Sequence, residues 1–202
     1  MIRLLVASNN LGKVREFQTL LEGLPFILTT LKDAGITIAV NEVGDTYQEN
    51  AQLKVETYCR LSGLLTLADD SGLEVAALGG EPGPKAARYA GENASDRERI
   101  DYLLAKLRNV PWEQRKARFC CVIALAFPED GVAICRGECD GYITLEPKGA
   151  QGFGYDPVFY VPEFGKTMAE LSPEEKNKIS HRARAAKCAR TELEKWLEKT
   201  KP

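Results

Sequence analysis

Histidine is almost missing from this 202-residue chain: His181 is the only one, so no histidine-rich metal centre can be assembled from it. Six cysteines are present, but none forms a CxxC pair of the kind found at zinc and redox sites. Without a signal-like start, these cysteines point to a reduced, cytoplasmic setting, with Cys59, Cys120, Cys121, Cys135, Cys139 and Cys188 as small buried hydrophobes. Long apolar runs are lacking as well. Ile2 to Ala7 is interrupted by Arg3, is too short for a signal-peptide core and runs directly into a polar loop, and no other stretch approaches a membrane span. Nor does one sign of charge dominate. The formal charge is −2, with acids and bases mixed and neither a polybasic nor an acidic tail, which disfavours nucleic-acid and membrane-surface partners. Repeats and low-complexity linkers are absent too.

What is there suits a globular enzyme. Hydrophobic residues make up 44% of the chain, enough to bury one sizeable core across residues 1–202, either as a single domain or as two lobes flanking a cleft. RLLVAS reads as a short buried strand, Ser8 to Gly12 as a polar turn, and the following segment as a helix with Val14, Phe17, Leu20 and Leu21 on one face. FILTTL is a second strand, Asn41 to Asp45 is irregular, and Tyr47 to Leu61 is a helix. LLTLADDSG reads as a strand running into a turn, and LEVAAL beyond it as either a strand or a helix. Gly79 to Pro84 is too rich in Gly and Pro for regular structure, and Ser95 with Glu98 opens a helix to Leu107 in the manner of a capping box. KARFCCVIALAF, GVAICRGEC and GYITLEP read as consecutive antiparallel strands, the last two joined at Asp140 and Gly141. The tail from Arg182 to Lys199 is an amphipathic helix with Ala186, Ala189, Leu193, Trp196 and Leu197 inward.

Four segments carry chemistry. In Ser8-Asn9-Asn10-Leu11-Gly12-Lys13 a strand ends, amide side chains and a glycine follow, and a lysine stands at a helix start, which are the parts of a phosphate cradle. It is not a Walker A loop, since the first glycine and the residue after the lysine are wrong, and an ordinary turn with a helix cap would use the same residues. Asp69 and Asp70 end an apolar strand, where one of them can seat Mg²⁺ or deprotonate a water while Ser71 touches a phosphate; an Asx turn is the plainer alternative. In QGFGYDP the glycines expose Phe153 or Tyr155 for base stacking and Asp156 for a base edge, unless the rings pack inward. EEKNKISHR gathers Lys176, Lys178, His181 and Arg182 into a cationic loop that faces an anion or a base edge, or else is a solvated helix start.

Along essentially its whole length the sequence resembles the noncanonical purine nucleoside triphosphate pyrophosphatase family, also called inosine triphosphatases or dITP/XTP pyrophosphatases. The family's TGNxGK stands as Ser8 to Lys13, its ENAxLKA as Glu49 to Val55, and its ADDSGLEV as Ala68 to Val75. GGxPG, ARYAG, GFGYDPVF and EKNxxSHR follow in order at Gly79 to Gly83, Ala87 to Gly91, Gly152 to Phe159 and Glu175 to Arg182. The resemblance implies an elongated mixed β-sheet with helices forming two lobes around a central active-site cleft. It also implies a cytoplasmic homodimer that uses Mg²⁺ to hydrolyse ITP, dITP or XTP to the monophosphate and pyrophosphate. By motif position, Ser8 to Lys13 and Lys54 would bind substrate, Asp70 would act as general base or metal ligand, and Ser71 would touch substrate. Phe153, Gly154, Tyr155 and Asp156 would stack on and read the base, with Lys176, His181 and Arg182 completing the pocket. Ser8-Asn9 replaces the usual Thr-Gly, and Asn41-Glu42 replaces a common acidic pair, which leaves Glu42 as the second metal ligand. The rivals are a pyrophosphatase of modified pyrimidine or canonical nucleotides on the same fold, and a nucleotide sensor that binds without hydrolysis.

Overall fold

The computed structural model describes residues 2–200. Eight strands are described: β1 (Ile2–Val6), β2 (Phe26–Thr30), β3 (Leu65–Val75), β4 (Pro82–Gly83), β5 (Lys116–Phe127), β6 (Gly131–Ile143), β7 (Phe159–Val161) and β8 (Lys166–Thr167). They form one mixed sheet in the order β2-β1-β3-β5-β6-β7-β8, with β4 paired to β3. β1 runs parallel to both β2 and β3, while β3–β4, β6–β7 and β7–β8 are antiparallel. The helices are α1 (Leu11–Leu20), α2 (Tyr47–Ser62), α3 (Asp96–Lys106), α4 (Pro173–Ile179) and α5 (His181–Lys199). The α/β class and mixed sheet expected from the sequence are therefore present.

The chain forms two compact units. One takes the chain up to Asp70, Cys121–Gly137 and the stretch from Arg182 onward; the other takes Ser71–Cys120 and Glu138–His181. In the first unit, Leu65 and Leu67 of β3 pack with Val14 and Phe17 of α1 and with Ala186, Ala189 and Leu193 of α5. Ala68 of β3 belongs to a separate cluster with Ala51, Val55 and Tyr58 of α2. Odd and even residues of β3 thus face different helices, as the period of a strand requires. The second unit has its own core, in which Ile100, Leu103 and Leu107 pack with Leu73, Phe119, Ile143, Phe159 and Ile179.

Helix boundaries follow from local chemistry. Thr46 and Glu49 form a capping box at the start of α2, and Ser95 and Glu98 form the expected one at the start of α3. Each box satisfies backbone N–H groups that no helical carbonyl can reach.

Four expectations are corrected. The segment ADDSG does not turn: β3 runs unbroken from Leu65 to Val75, so the carboxylate pair lies within the strand. Gly79 to Pro84 is not wholly irregular, because Pro82–Gly83 pairs with Glu74 and Leu73. Asp140 and Gly141 do not separate two strands, for β6 continues through them; a Cβ on Gly141 would collide with the Tyr160 carbonyl and the Phe159 ring, so this glycine permits close approach rather than a turn. Cys135 and Cys188 form a disulfide, with Cα atoms 5.6 Å apart, within bridging range, whereas Cys59, Cys120, Cys121 and Cys139 remain thiols. A separation of 53 residues left that pairing without a local sequence signal.

The α5 packing makes a simple prediction. Leu193 is fully buried and Leu145 is 67% exposed, so Leu193→Ala should lower stability by about 2–5 kcal/mol and Leu145→Ala should change it by less than about 0.5 kcal/mol, read from urea unfolding midpoints.

Candidate active site

The first unit brings the phosphate-loop candidates beside the carboxylate pair. After β1, Asn10 caps α1 by accepting from the Gly12 N–H at 2.8 Å and the Lys13 N–H at 3.1 Å, and the Ser8 hydroxyl accepts from the Asn10 N–H at 3.2 Å. The loop's side chains are therefore already organised around its backbone donors. Asn9, Asn10 and Leu11 are exposed, Ser8, Gly12 and Lys13 half-buried, and the first turn of α1 carries no acid that would repel an anion.

Because β3 continues through the pair, Asp69 and Asp70 point to opposite faces and acquire different partners. Asp69 lies on the α1 and α5 side. Lys13 Nζ stands 2.9 Å from it and an Arg182 nitrogen 3.5 Å, while Arg182 also reaches Glu16 at 2.6 Å. Burial opposes the charge on Asp69, but Lys13, Arg182 and Lys54 more than offset it and hold the carboxyl well below the usual carboxylate range. Asp70 lies on the α2 side. Its carboxylate is 3.4 Å from Lys54 Nζ and accepts from Asn50 Nδ2 at 3.2 Å. Burial pushes the Asp70 carboxyl up, and the nearby Glu42 and Asp69 add to this, although Lys54 and Lys13 pull against them.

Lys54 ties these groups together. It donates to the Asp69 carbonyl at 2.6 Å and pairs with Glu42 at 2.8 Å. Burial favours its neutral form, but Asp70, Asp69 and Glu42 prevail and keep it charged. Asn50 adds a second link to the Glu42 segment, since its Oδ1 accepts from the Gly44 N–H at 2.8 Å and its Nδ2 donates to the Gly44 carbonyl at 3.3 Å. A Cβ on Gly44 would meet the Glu49 Cβ at 2.7 Å, so only glycine fits there. Three cations (Lys13, Lys54, Arg182) therefore face four carboxylates (Glu16, Glu42, Asp69, Asp70).

The second unit holds the aromatic loop. Asp156, buried, accepts from the Phe153 N–H at 3.0 Å and pairs with Lys176 Nζ at 2.5 Å; that ammonium lies 5.0 Å from the Phe153 ring centroid. A Cβ on Gly152 would collide with the Asp156 carboxylate, so this glycine, at φ +76°, lets the loop close on itself. Of the two exposed-ring candidates, Phe153 is half-buried. Tyr155 is buried instead, its hydroxyl donating to the Ala86 carbonyl at 2.9 Å. Gly154 donates its N–H to Asp96 Oδ2 at 2.6 Å.

The segment EEKNKISHR is not a loop: Pro173–Ile179 is helical and Ser180 caps its end. Nor is it solvated, for Lys176, His181 and Arg182 are all buried, while Lys178 is exposed. His181 stacks on Phe119 with centroids 4.7 Å apart at 18°. Ser71 is half-buried within β3 rather than in a turn.

Sequence reasoning missed Glu16, Asn50, Gly44 and Asp96. Asn50 sat inside a quoted motif without a role; Glu16 meets Arg182 across 166 residues, which no local pattern reveals.

Comparison with known proteins places this geometry in context. A family model described as the Ham1 family matches residues 4–192. A dITP/XTP pyrophosphatase from Geobacillus kaustophilus is 52% identical over 185 residues, covering 92% of this chain and 91% of that protein. Another from Halalkalibacterium halodurans is 48% identical over 194 residues, covering 96% and 98%. Among solved structures, a HAM1 protein from Coxiella burnetii superposes with a TM-score of 0.87 at 42% identity, covering 96% of this chain and all of that one. The nucleoside-triphosphatase / dITP/XTP pyrophosphatase of Mycobacterium abscessus gives 0.75 at 39% identity, covering 93% and 98%.

The charge pairing around Asp69 is testable. A depressed folded-state pKa contributes stability above the ordinary carboxyl value of 3.8, and that contribution is lost as pH falls below it. Asp69→Asn should cost about 3–5 kcal/mol at pH 7, because buried cations lose their partner, and the gap to wild type should narrow as the pH is lowered from about 5 towards 2. Urea midpoints across that range check both the size and the direction.

Proposed function

We propose that this chain, which belongs to the Ham1 family, hydrolyses noncanonical purine nucleoside triphosphates such as dITP, XTP and ITP to the nucleoside monophosphate and pyrophosphate. The observation that carries the reading is the arrangement at β3: two successive carboxylates with different environments, one saturated by cations and one with a raised pKa, beside a lysine at a helix N-terminus. That division separates a structural anchor from a base. Asp69, fully charged and gripped by Lys13 and Arg182, holds the cations in place. Asp70, raised by burial, is the better proton acceptor of the two.

Water attacks the α-phosphorus. A new P–O bond forms, the α–β bridging P–O bond breaks, its electron pair leaves on pyrophosphate, and the proton of the attacking water passes to an Asp70 oxygen. Lys13, at the start of α1, stabilises charge on the departing group, and Ser8, Asn9, Asn10, Leu11, Gly12 and Ser71 position the phosphates, the loop keeping the shape that its Ser8 and Asn10 side-chain bonds give it. Lys54 holds the Asp70 carboxylate and Glu42 in register.

The residues fit a hard divalent cation. The site's three cations are already matched by four carboxylates, so a triphosphate has to arrive with neutralising charge of its own. The donors are carboxylate oxygens, and no group of three or more His, Cys, Asp or Glu is poised as a ready-made cage among the described residues. Mg²⁺ is characteristically held by one or two carboxylates together with substrate phosphates. Asp70 and Glu42 would hold it, and when bound it would neutralise charge on the phosphate oxygens.

Base recognition falls to Phe153 as the stacking face, with Lys176 and His181 as donors for a six-position oxo group, while the Gly154 N–H is taken by Asp96 and holds the loop. Adenine presents an amino donor there and would leave a buried donor unpaired, a mismatch that discriminates strongly. Asp156 and Tyr155 act by holding the loop, and Arg182 by anchoring Asp69. The reading extends to a cytoplasmic homodimer working on free nucleotides. Nucleic-acid binding is disfavoured by the net charge of −2, and no described helix is long and apolar enough to cross a membrane.

Pyrophosphate release from ITP, dITP, XTP, GTP, ATP and dTTP, with and without Mg²⁺, tests the reading. Mg²⁺-dependent conversion of the inosine and xanthosine nucleotides alone is the expected outcome; equal turnover across the panel would sink the selectivity claim, and none at all would favour a sensor. Asp70→Asn should lower kcat by about 10²–10⁴-fold while nucleotide binding persists.

A further inference from the structure

Three successive residues of the aromatic loop, Phe153, Gly154 and Tyr155, each make an anchoring hydrogen bond, and only the first of these stays within the motif. Asp156 holds the Phe153 N–H from within, and Tyr155 anchors the far side on the Ala86 carbonyl. Between them stands Gly154, at φ +62°, where a Cβ would meet nothing within 4 Å. Glycine imposes no steric restraint of its own on this peptide. A 2.6 Å hydrogen bond from its N–H to Asp96 Oδ2 ties it to α3.

Asp96 is itself held. The capping box of Ser95 and Glu98 orders the first turn of α3, and Arg99, one turn on, pairs with the other oxygen of Asp96. The Arg99 guanidinium also donates to the Ala87 carbonyl at 2.5 Å, next to the Ala86 carbonyl that receives Tyr155. A closed circuit results: Gly154 to Asp96, Asp96 to Arg99, Arg99 to Ala87, and Ala86 back to Tyr155.

We propose that Asp96, which lies outside every motif of the resemblance, is a positioning residue for base recognition: through the Gly154 peptide it sets the orientation of the Phe153 ring and of the loop that faces the base. This rests on the assignment of Phe153 as the stacking face. The plainer alternative is that Asp96 only complements the positive end of α3, as first-turn acids do.

Two substitutions separate these. Asp96→Ala removes the acceptor and the charge. Asp96→Asn removes the charge but keeps a side-chain oxygen able to accept from Gly154. Both are assayed for pyrophosphate release from dITP and from ribose 5′-triphosphate, which carries the phosphates without a base. Asp96→Ala should raise KM for dITP about tenfold, the worth of one ordinary hydrogen bond, with little change in kcat and no change in kcat/KM for the base-free substrate. Asp96→Asn should restore most of the dITP KM. Equal losses in the two variants, an equal loss on the base-free triphosphate, or an unchanged dITP KM in Asp96→Ala would each overturn the proposal. Wild-type protein unable to hydrolyse dITP would show instead that the underlying functional reading had failed, and the proposal with it.

Discussion

Two adjacent carboxylates inside a buried strand set the terms for the first unit. Neither Asp69 nor Asp70 is exposed, at 2% and 4%, and a buried charge without partners is costly enough to unfold a domain of this size. Strand alternation supplies the solution by sending the two to opposite faces, where different helices can bring cations to them. α1 and α5 deliver Lys13 and Arg182 to one; α2 delivers Lys54 to the other, together with the Asn50 amide. The helices that build the cores on either side of β3 are the same ones that carry the compensating charges, so packing and electrostatics constrain each other. A shift of α2 that relieved a core contact would leave Asp70 uncompensated.

The asymmetry between the carboxylates is where structure becomes chemistry. Asp69 has its cations close and its pKa held down; burial pushes the Asp70 carboxyl up, with Glu42 and Asp69 adding to this, and the Lys54 it shares with Glu42 does not offset them. A pair pushed apart in this way can divide the work of holding charge and moving a proton, which two equivalent carboxylates could not do.

Much of this was legible in the sequence. The helices from Tyr47 and Asp96, the long strand Lys116–Phe127 and the amphipathic tail all follow from periodicity and capping, which are local properties. The misreadings within β3 and β6 share one cause. Glycines and acids inside β3 and β6 resemble turn chemistry, but Gly141 serves a close approach to Phe159 and Tyr160, and Asp69 and Asp70 are tolerated in a strand because distant residues neutralise them. The same holds for the site. Lys13, Lys54 and Asp70 stand in recognisable motifs, whereas the burial of His181 against Phe119, the Glu16–Arg182 pair and the hold of Asp96 on Gly154 depend on contacts between remote segments. A polar neighbourhood in sequence says little about burial when two helices meet at a tight junction, as α4 and α5 do at Ser180.

The two kinds of site residue are also stabilised by different forces, and this bears on selectivity. Of the groups assigned to phosphates, Lys13 is held by its ion pair with Asp69 and the loop before it by the Ser8 and Asn10 side chains, and neither hold depends on the shape of a base. The aromatic loop has one buried ion pair, Asp156 with Lys176, but hangs otherwise on hydrogen bonds from Phe153 to Asp156, Gly154 to Asp96 and Tyr155 to Ala86, each directional and short in reach. Discrimination between purines that share a triphosphate cannot come from the first set, because it meets the same charge in every substrate. It has to come from a donor and acceptor pattern held in a fixed orientation. For that reason the rigidity of a glycine-rich loop, which its composition opposes, is the property that the surrounding hydrogen bonds exist to supply.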